Sequence, residues 1–213
     1  MGKFLKGING AFSGKVGSNI GSRWRSVDYM RSLPRPSNKP ATVGQLAQRA
    51  KFGLAVAFLS PIKDLLNIGY SDLQQAKATG YNVALKSFLQ NAITGDYPDL
   101  EIAYENVLFS RGKLSPLYGL TLAESNPGEA TLTWIPKMNR FTAFADDEVI
   151  VLVYNKNKAF FDILEETTRA DGSLNLELPT VFSGDDLAVW VILAHREGSV
   201  TSNSQYAGSI TVS

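Results

Sequence analysis

Two stretches decide the fold: Glu148-Val149-Ile150-Val151-Leu152-Val153-Tyr154-Asn155, and Leu187 through His195, which runs Leu-Ala-Val-Trp-Val-Ile-Leu-Ala-His. Each is short, rich in β-branched and aromatic residues, and bounded by turn formers. The boundaries are Asp146-Asp147 and Asn155–Asn157 for the first, Ser183-Gly184-Asp185-Asp186 and Glu197-Gly198 for the second. Apolar runs of this length between such signals read as buried strands rather than helices. In the first, Val149, Val151 and Val153 alternate with Ile150, Leu152 and Tyr154, and in the second Leu187–Leu193 is nearly all apolar. A strand apolar on both faces is central and covered on both sides.

Working outward, the same pattern marks strands at Leu117–Glu124, Ala130–Ile135, Ala159–Glu165, Leu174–Leu178 and Tyr206–Val212, separated by Asn126-Pro127-Gly128 and Asp171-Gly172. Seven short strands in about 100 residues predict an immunoglobulin/fibronectin-III-like β-sandwich. Trp134 and Trp190 are expected on its inward faces, and the Tyr206 hydroxyl is expected to bond a backbone group. A linking strand is expected over Ile102–Ser110, closed by Arg111-Gly112, so that residues 99–213 form the β region.

Residues 41–98 read as helical. Thr42-x-x-Gln45 fits a capping box, and Leu46, Ala50, Gly53/Leu54 and Ala57/Phe58 fall on one helical face. Ser60-Pro61 marks a break and restart, since proline suits a first helical turn, and Gly69 a stop. A further helix is expected from Tyr81 to Ile93, burying Val83/Ala84, Phe88 and Ala92. Gln45, Gln48 and Arg49 face away from the apolar stripe. The fold class is therefore α+β: an N-terminal extended or hairpin arm, a helical hairpin and the sandwich.

Residues 1–40 form the arm. Gly7, Gly10, Gly14, Gly17 and Gly21 would each cost a helix roughly 1 kcal/mol relative to alanine. Short alternating runs at Gly14–Gly17 and Arg23–Ser32 instead suggest strands or hairpins, followed by an extended stretch at Pro34, Pro36 and Pro40. Such an arm has too little apolar surface for a core of its own and must lie on something.

The 213-residue chain carries 21 Lys+Arg and 20 Asp+Glu, yet the balance is uneven. Residues 1–63 hold eleven basic side chains and one acid, a formal +10, and the rest hold ten basic and nineteen acidic, a formal −9. That polarity points to an anionic partner, to a head-to-tail contact between copies, or to neutralisation within one chain. With 44% hydrophobic and 19% charged residues the chain is foldable rather than disordered. Without cysteine it has no disulfide, thiol nucleophile or Cys-ligated metal, and one histidine, His195, precludes a multi-histidine metal site. No signal-peptide run and no stretch of 18 consecutive apolar residues is seen. The expected location is the cytoplasm, with a virion or another export route left open.

Little catalytic material remains. His195 with Asp185 or Ser199 makes a triad on paper, without a Gly-x-Ser-x-Gly elbow. The clusters Asp146-Asp147-Glu148, Glu165-Glu166 and Asp185-Asp186 read as solvated turn acids rather than a calcium site. Gly10 to Lys15 departs from the phosphate-loop spacing, and strand-turn glycine explains it. No cofactor, metal or catalytic residue is expected. The residues singled out for an interface are Phe12, Lys15, Arg23, Trp24, Arg25, Tyr29 and Arg31. Basic groups interleaved with aromatics suit a protein interface anchor and, as the alternative, a nucleic-acid contact.

Several spaced blocks carry a resemblance: Gly10–Gly17, Trp24, Tyr29–Pro34, Gln45–Phe52, Asn91–Gly95, Tyr97-Pro98, Ser110–Gly112 and Ser204–Ser209. The chain resembles a domain family of unknown function found in Bacteroidota, the DUF6266 type, over essentially its whole length. After Trp24 it has Arg25-Ser26 where that family often has Lys-Gly. The resemblance supplies no assigned catalytic residues to carry over. The expected function is a non-enzymatic structural protein that self-associates through the arm into an oligomer or filament, such as a phage-virion or tail-like component. The alternative is nucleic-acid binding by the same arm.

Overall fold

Successive side chains of a strand point to opposite faces, so the apolar alternation of residues 148–155 demands a partner layer on each side. The computed structural model supplies both. It describes residues 2–3, 12–24, 27–35, 39–71, 78–126, 128–198 and 200–212. The chain divides into two compact units, Met1–Thr42 and Val43–Ser213.

The first unit contains β1 (Gly2–Lys3), β2 (Gly14–Val16), β3 (Asn19–Trp24) and β4 (Val27–Ser32), an antiparallel sheet in the order β1-β4-β3-β2. Among its described residues Gly21 alone is fully buried, so this sheet has no apolar core within itself.

The second unit opens with α1 (Val43–Leu59), α2 (Lys63–Gly69) and α3 (Gly80–Asn91). Pro61 sits in the first turn of a short 3-10 segment that joins α1 to α2, where its missing N–H costs nothing. Thr79 caps α3, its hydroxyl accepting the Asn82 N–H at 3.3 Å. The third helix stops two residues before the expected end, because Ile93 enters a two-stranded pairing of β5 (Ile93–Thr94) with β6 (Glu101–Ile102). By length and composition the run Val43–Gly69 contains an 18-residue stretch apolar enough to cross a membrane. Here its Phe58, Leu59, Ile62, Leu65 and Leu66 are buried in a core.

Seven strands follow: β7 (Tyr118–Asn126), β8 (Glu129–Ile135), β9 (Glu148–Asn155), β10 (Phe160–Thr168), β11 (Ser173–Glu177), β12 (Asp186–Ala194) and β13 (Gln205–Thr211). They make two antiparallel sheets, β10-β9-β12-β13 and β11-β8-β7. Between the sheets lie Leu132, Trp134, Val149, Val151, Val153, Leu176, Leu187, Val189, Val191 and Leu193. The opposite face of the larger sheet presents Ile150, Leu152, Tyr154, Ala188, Trp190 and Ile192 to the helices. Helices, four-stranded sheet and three-stranded sheet thus form three layers, with β9 and β12 buried on both faces.

Phe58 centres the helical layer, 4.8 Å from Tyr154, 5.1 Å from Phe161 and 5.2 Å from Phe88 between ring centroids. Trp190 belongs to this core, not to the sandwich interior as expected. Its register opposite Leu152 directs it to the helical side, where Phe109 meets it edge-on at 5.0 Å. Trp134 is inward, as expected, and its indole N–H donates to the Arg169 carbonyl at 2.9 Å.

The expected linking strand over Ile102–Ser110 is not formed. After β6 the chain makes a 3-10 turn at Tyr104–Asn106 and then runs irregularly along the seam between helices and sandwich. The Phe109 N–H donates to Ser204 Oγ at 2.9 Å, and Ser110 Oγ donates to the Ser202 carbonyl at 2.8 Å. A serine hydroxyl thus replaces a strand partner for the buried Phe109 amide, and another ties the segment to the Ser202 carbonyl. The Tyr206 hydroxyl pairs with Ser209 Oγ at 2.6 Å rather than with backbone. Among the described residues it is Tyr70 whose hydroxyl donates to a backbone carbonyl, that of Leu108, at 2.8 Å.

Candidate interaction surface

The glycines of the arm set its geometry. Gly17, at φ 59°, begins the two-residue turn that pairs Val16 with Asn19, a position where glycine carries no steric cost. A Cβ on Gly21 would come within 2.7 Å of the Phe12 ring; without one, Phe12 lies across the sheet.

Strand register then sorts the singled-out residues. Lys15 stands opposite Ile20, Ile20 opposite Arg31, Ser22 opposite Tyr29 and Trp24 opposite Val27. Paired residues share a face, so Lys15, Trp24, Tyr29 and Arg31 fall on one face together with Ile20 and Val27. Phe12 and Arg23 fall on the other, where Arg23 Nε is 3.4 Å from Asp28 Oδ1. Arg25 lies outside the described residues. The first face combines an indole 50% exposed, a half-buried phenol and two exposed cations.

The remaining candidates do not assemble. His195 follows β12 and Asp185 precedes it, so the whole strand separates them. The imidazole Nδ1 accepts the Glu197 N–H at 3.3 Å, while Asp185 accepts from the Asn155 amide at 2.7 Å and pairs with Lys158. Ser199 lies outside the described residues, as do the side chains of Glu165 and Glu166. The Asn155 bond, with Lys158, holds the Asp185 carboxyl below its ordinary value. Among the described residues no three His, Asp or Glu side chains gather as metal ligands would. Gly14-Lys15-Val16-Gly17 is strand and turn, leading into β3 rather than into a helix N-terminus.

Asp147 departs from the expectation of a solvated turn acid. It is fully buried, and its Oδ2 meets Arg169 Nε at 2.9 Å, with Arg169 itself 1% exposed. The guanidinium also donates to the carbonyls of Ser115 at 2.7 Å and Pro116 at 3.4 Å. The Phe144 N–H donates to the same carboxylate oxygen at 2.9 Å. This pair joins three loops at one end of the sandwich. Twenty-two residues separate its members, and neither Asp146-Asp147-Glu148 nor Thr168–Asp171 carries a local signal that would have matched them.

A model of a family of unknown function, DUF6266, matches residues 11–208. No curated protein matches the chain. Among solved structures, the fn3 domain of human collagen alpha-1(XX) chain is similar at 17% identity and a TM-score of 0.36, over 46% of this chain and 86% of that one. The FN5 domain of Drosophila Lar is similar at 11% identity and a TM-score of 0.29, over 45% of this chain and 92% of that one. By its own strand order, four strands β10-β9-β12-β13 on three strands β11-β8-β7, the sandwich is fibronectin type III-like, and the chain belongs to the DUF6266 family.

Proposed function

We propose that this member of the family is a non-enzymatic structural protein whose N-terminal sheet docks on the acidic body of a second copy, building an oligomer or filament. The observation that carries the reading is the register that gathers Lys15, Ile20, Trp24, Val27, Tyr29 and Arg31 on one face. Tryptophan, tyrosine and arginine are the residues that dominate interface energetics. Charge supplies the complement: residues 1–42 hold eight basic side chains and one acid, whereas residues 43–213 hold thirteen basic and nineteen acidic. A contact between different patches of identical copies is head-to-tail, and propagates into rings or fibres.

The test is analytical sedimentation of the intact, nuclease-treated protein against Lys15→Glu/Arg31→Glu, two exposed positions, at low and high salt. Concentration-dependent assembly that weakens with salt and is lost in the double variant supports the reading. Assembly unaffected by the double substitution overturns it. A monomer that instead retains nucleic acid, released by salt, overturns it in favour of nucleic-acid binding through the arm.

A further inference from the structure

At the Arg169–Asp147 end of the sandwich lies a cleft of about 310 Å³ lined by Lys113, Leu114, Phe141, Thr142, Phe144, His195 and Val200. That volume is at the lower end for small-molecule sites. Its walls are fixed by bonds outside the cleft. Asn139 Oδ1 accepts the N–H groups of Phe141 and Thr142 at 2.8 and 2.7 Å. The Ser115 N–H donates to the Thr142 carbonyl at 2.7 Å, and the Leu114 N–H to that of Thr201 at 3.0 Å. Phe141 is nonetheless 87% exposed, a large ring held mostly in water by that turn.

The polar groups at the cleft are donors. Lys113 takes part in none of the four salt bridges among the described residues. His195 stands edge-on to Phe144 at 5.2 Å. Because its Nδ1 accepts the Glu197 N–H, the neutral ring carries its proton on Nε2, which is left to donate. Thr142 Oγ1 is already engaged with Ser115 and Asn139. Phenyl and aliphatic walls with an ammonium and an imidazole N–H at the same opening complement one chemistry: an apolar body ending in an anion.

We propose that this cleft binds a small monocarboxylic acid with an aromatic body, the ring against Phe141, Phe144 and Val200 and the carboxylate on Lys113 and His195. The site is independent of the arm.

The test is an NMR titration of the full chain with hydrocinnamate, compared with the alcohol and the amine of the same skeleton. The expected result is shifts confined to Lys113, Leu114, Phe141–Phe144, His195 and Val200, with a dissociation constant of about 1 mM or tighter. The alcohol should bind about tenfold more weakly, the worth of one charge-assisted hydrogen bond. Lys113→Glu, at an exposed position, should weaken hydrocinnamate by a similar factor while leaving the melting temperature unchanged. Absence of shifts at about 10 mM, shifts mapping elsewhere, or equal affinity for the alcohol would each overturn the proposal.

Discussion

Replacing Arg169 with methionine keeps most of the stem volume and removes the charge that faces Asp147. Three consequences follow from the geometry. Asp147, fully buried, loses the cation 2.9 Å from its Oδ2, and its Oδ1 already has no hydrogen-bond partner. The carbonyls of Ser115 and Pro116 lose their donors. Breaking one side of a buried pair costs about 3–5 kcal/mol, mostly the penalty of the charge left behind. For a protein of this size that corresponds to a fall in melting temperature of about 6–20 °C. Asp147→Asn in the same background removes the stranded charge yet keeps an oxygen for the Phe144 N–H. The double variant Arg169→Met/Asp147→Asn should therefore recover about 2 kcal/mol relative to Arg169→Met alone. Urea unfolding of wild type, both single variants and the double measures all four corners. An Arg169→Met variant within about 1 kcal/mol of wild type, or a double variant less stable than Arg169→Met, would refute the reasoning.

Trp190→Ala should cost about 3–5 kcal/mol in urea unfolding, since the ring is wholly buried and packs on Phe109 and Tyr206; a loss near that of a surface substitution would contradict the two-sided placement of β12. Gly112→Ala puts a Cβ within 2.7 Å of the Thr201 carbonyl carbon and should cost about 1–3 kcal/mol, whereas Gly53→Ala in α1 meets nothing within 4 Å and should gain about 0.5–1 kcal/mol. Melting curves that rank these two glycine variants the other way would contradict the packing at the seam. Burial pushes the Tyr70 hydroxyl from 10.0 up to about 12, so above pH 10 the unfolded chain releases a proton that the folded one keeps, and stability falls with rising pH. Tyr70→Phe should flatten that alkaline decline. The Asp185 carboxyl is shifted the other way: its contribution is complete above the ordinary aspartate value and is lost as pH falls through the lowered folded value, a decline that Asp185→Asn should reduce.

The sandwich was legible because alternation with period two is dictated strand by strand, and turn residues mark each boundary. Glu148–Asn155 was read with its observed limits, and the other six strands deviate by a few residues at their ends. Two-sided burial of Leu187–Leu193 was likewise visible. What covers the second face was not, since residue pattern shows that Ile150, Leu152 and Trp190 need a partner without saying that Phe58 and Phe109 supply it. Apolar spacing in Ile102–Ser110 mimics a strand, and only the long-range bonds from Ser202 and Ser204 explain how an irregular segment is buried there. In the arm, residue type pointed to Lys15, Trp24, Tyr29 and Arg31, but their common face depends on register, which a shift of one residue would invert. The cleft and the Arg169–Asp147 pair bring together residues far apart in sequence, and no local pattern announces either.

The most direct test of the central claim is light scattering after size-exclusion chromatography, with negative-stain microscopy, on the nuclease-treated full chain and on a fragment starting at Ala41. The account predicts regular oligomers or fibres from the full chain and a folded monomer from the fragment. A full chain that is monomeric at every concentration and salt, or a fragment that assembles as the full chain does, would contradict it.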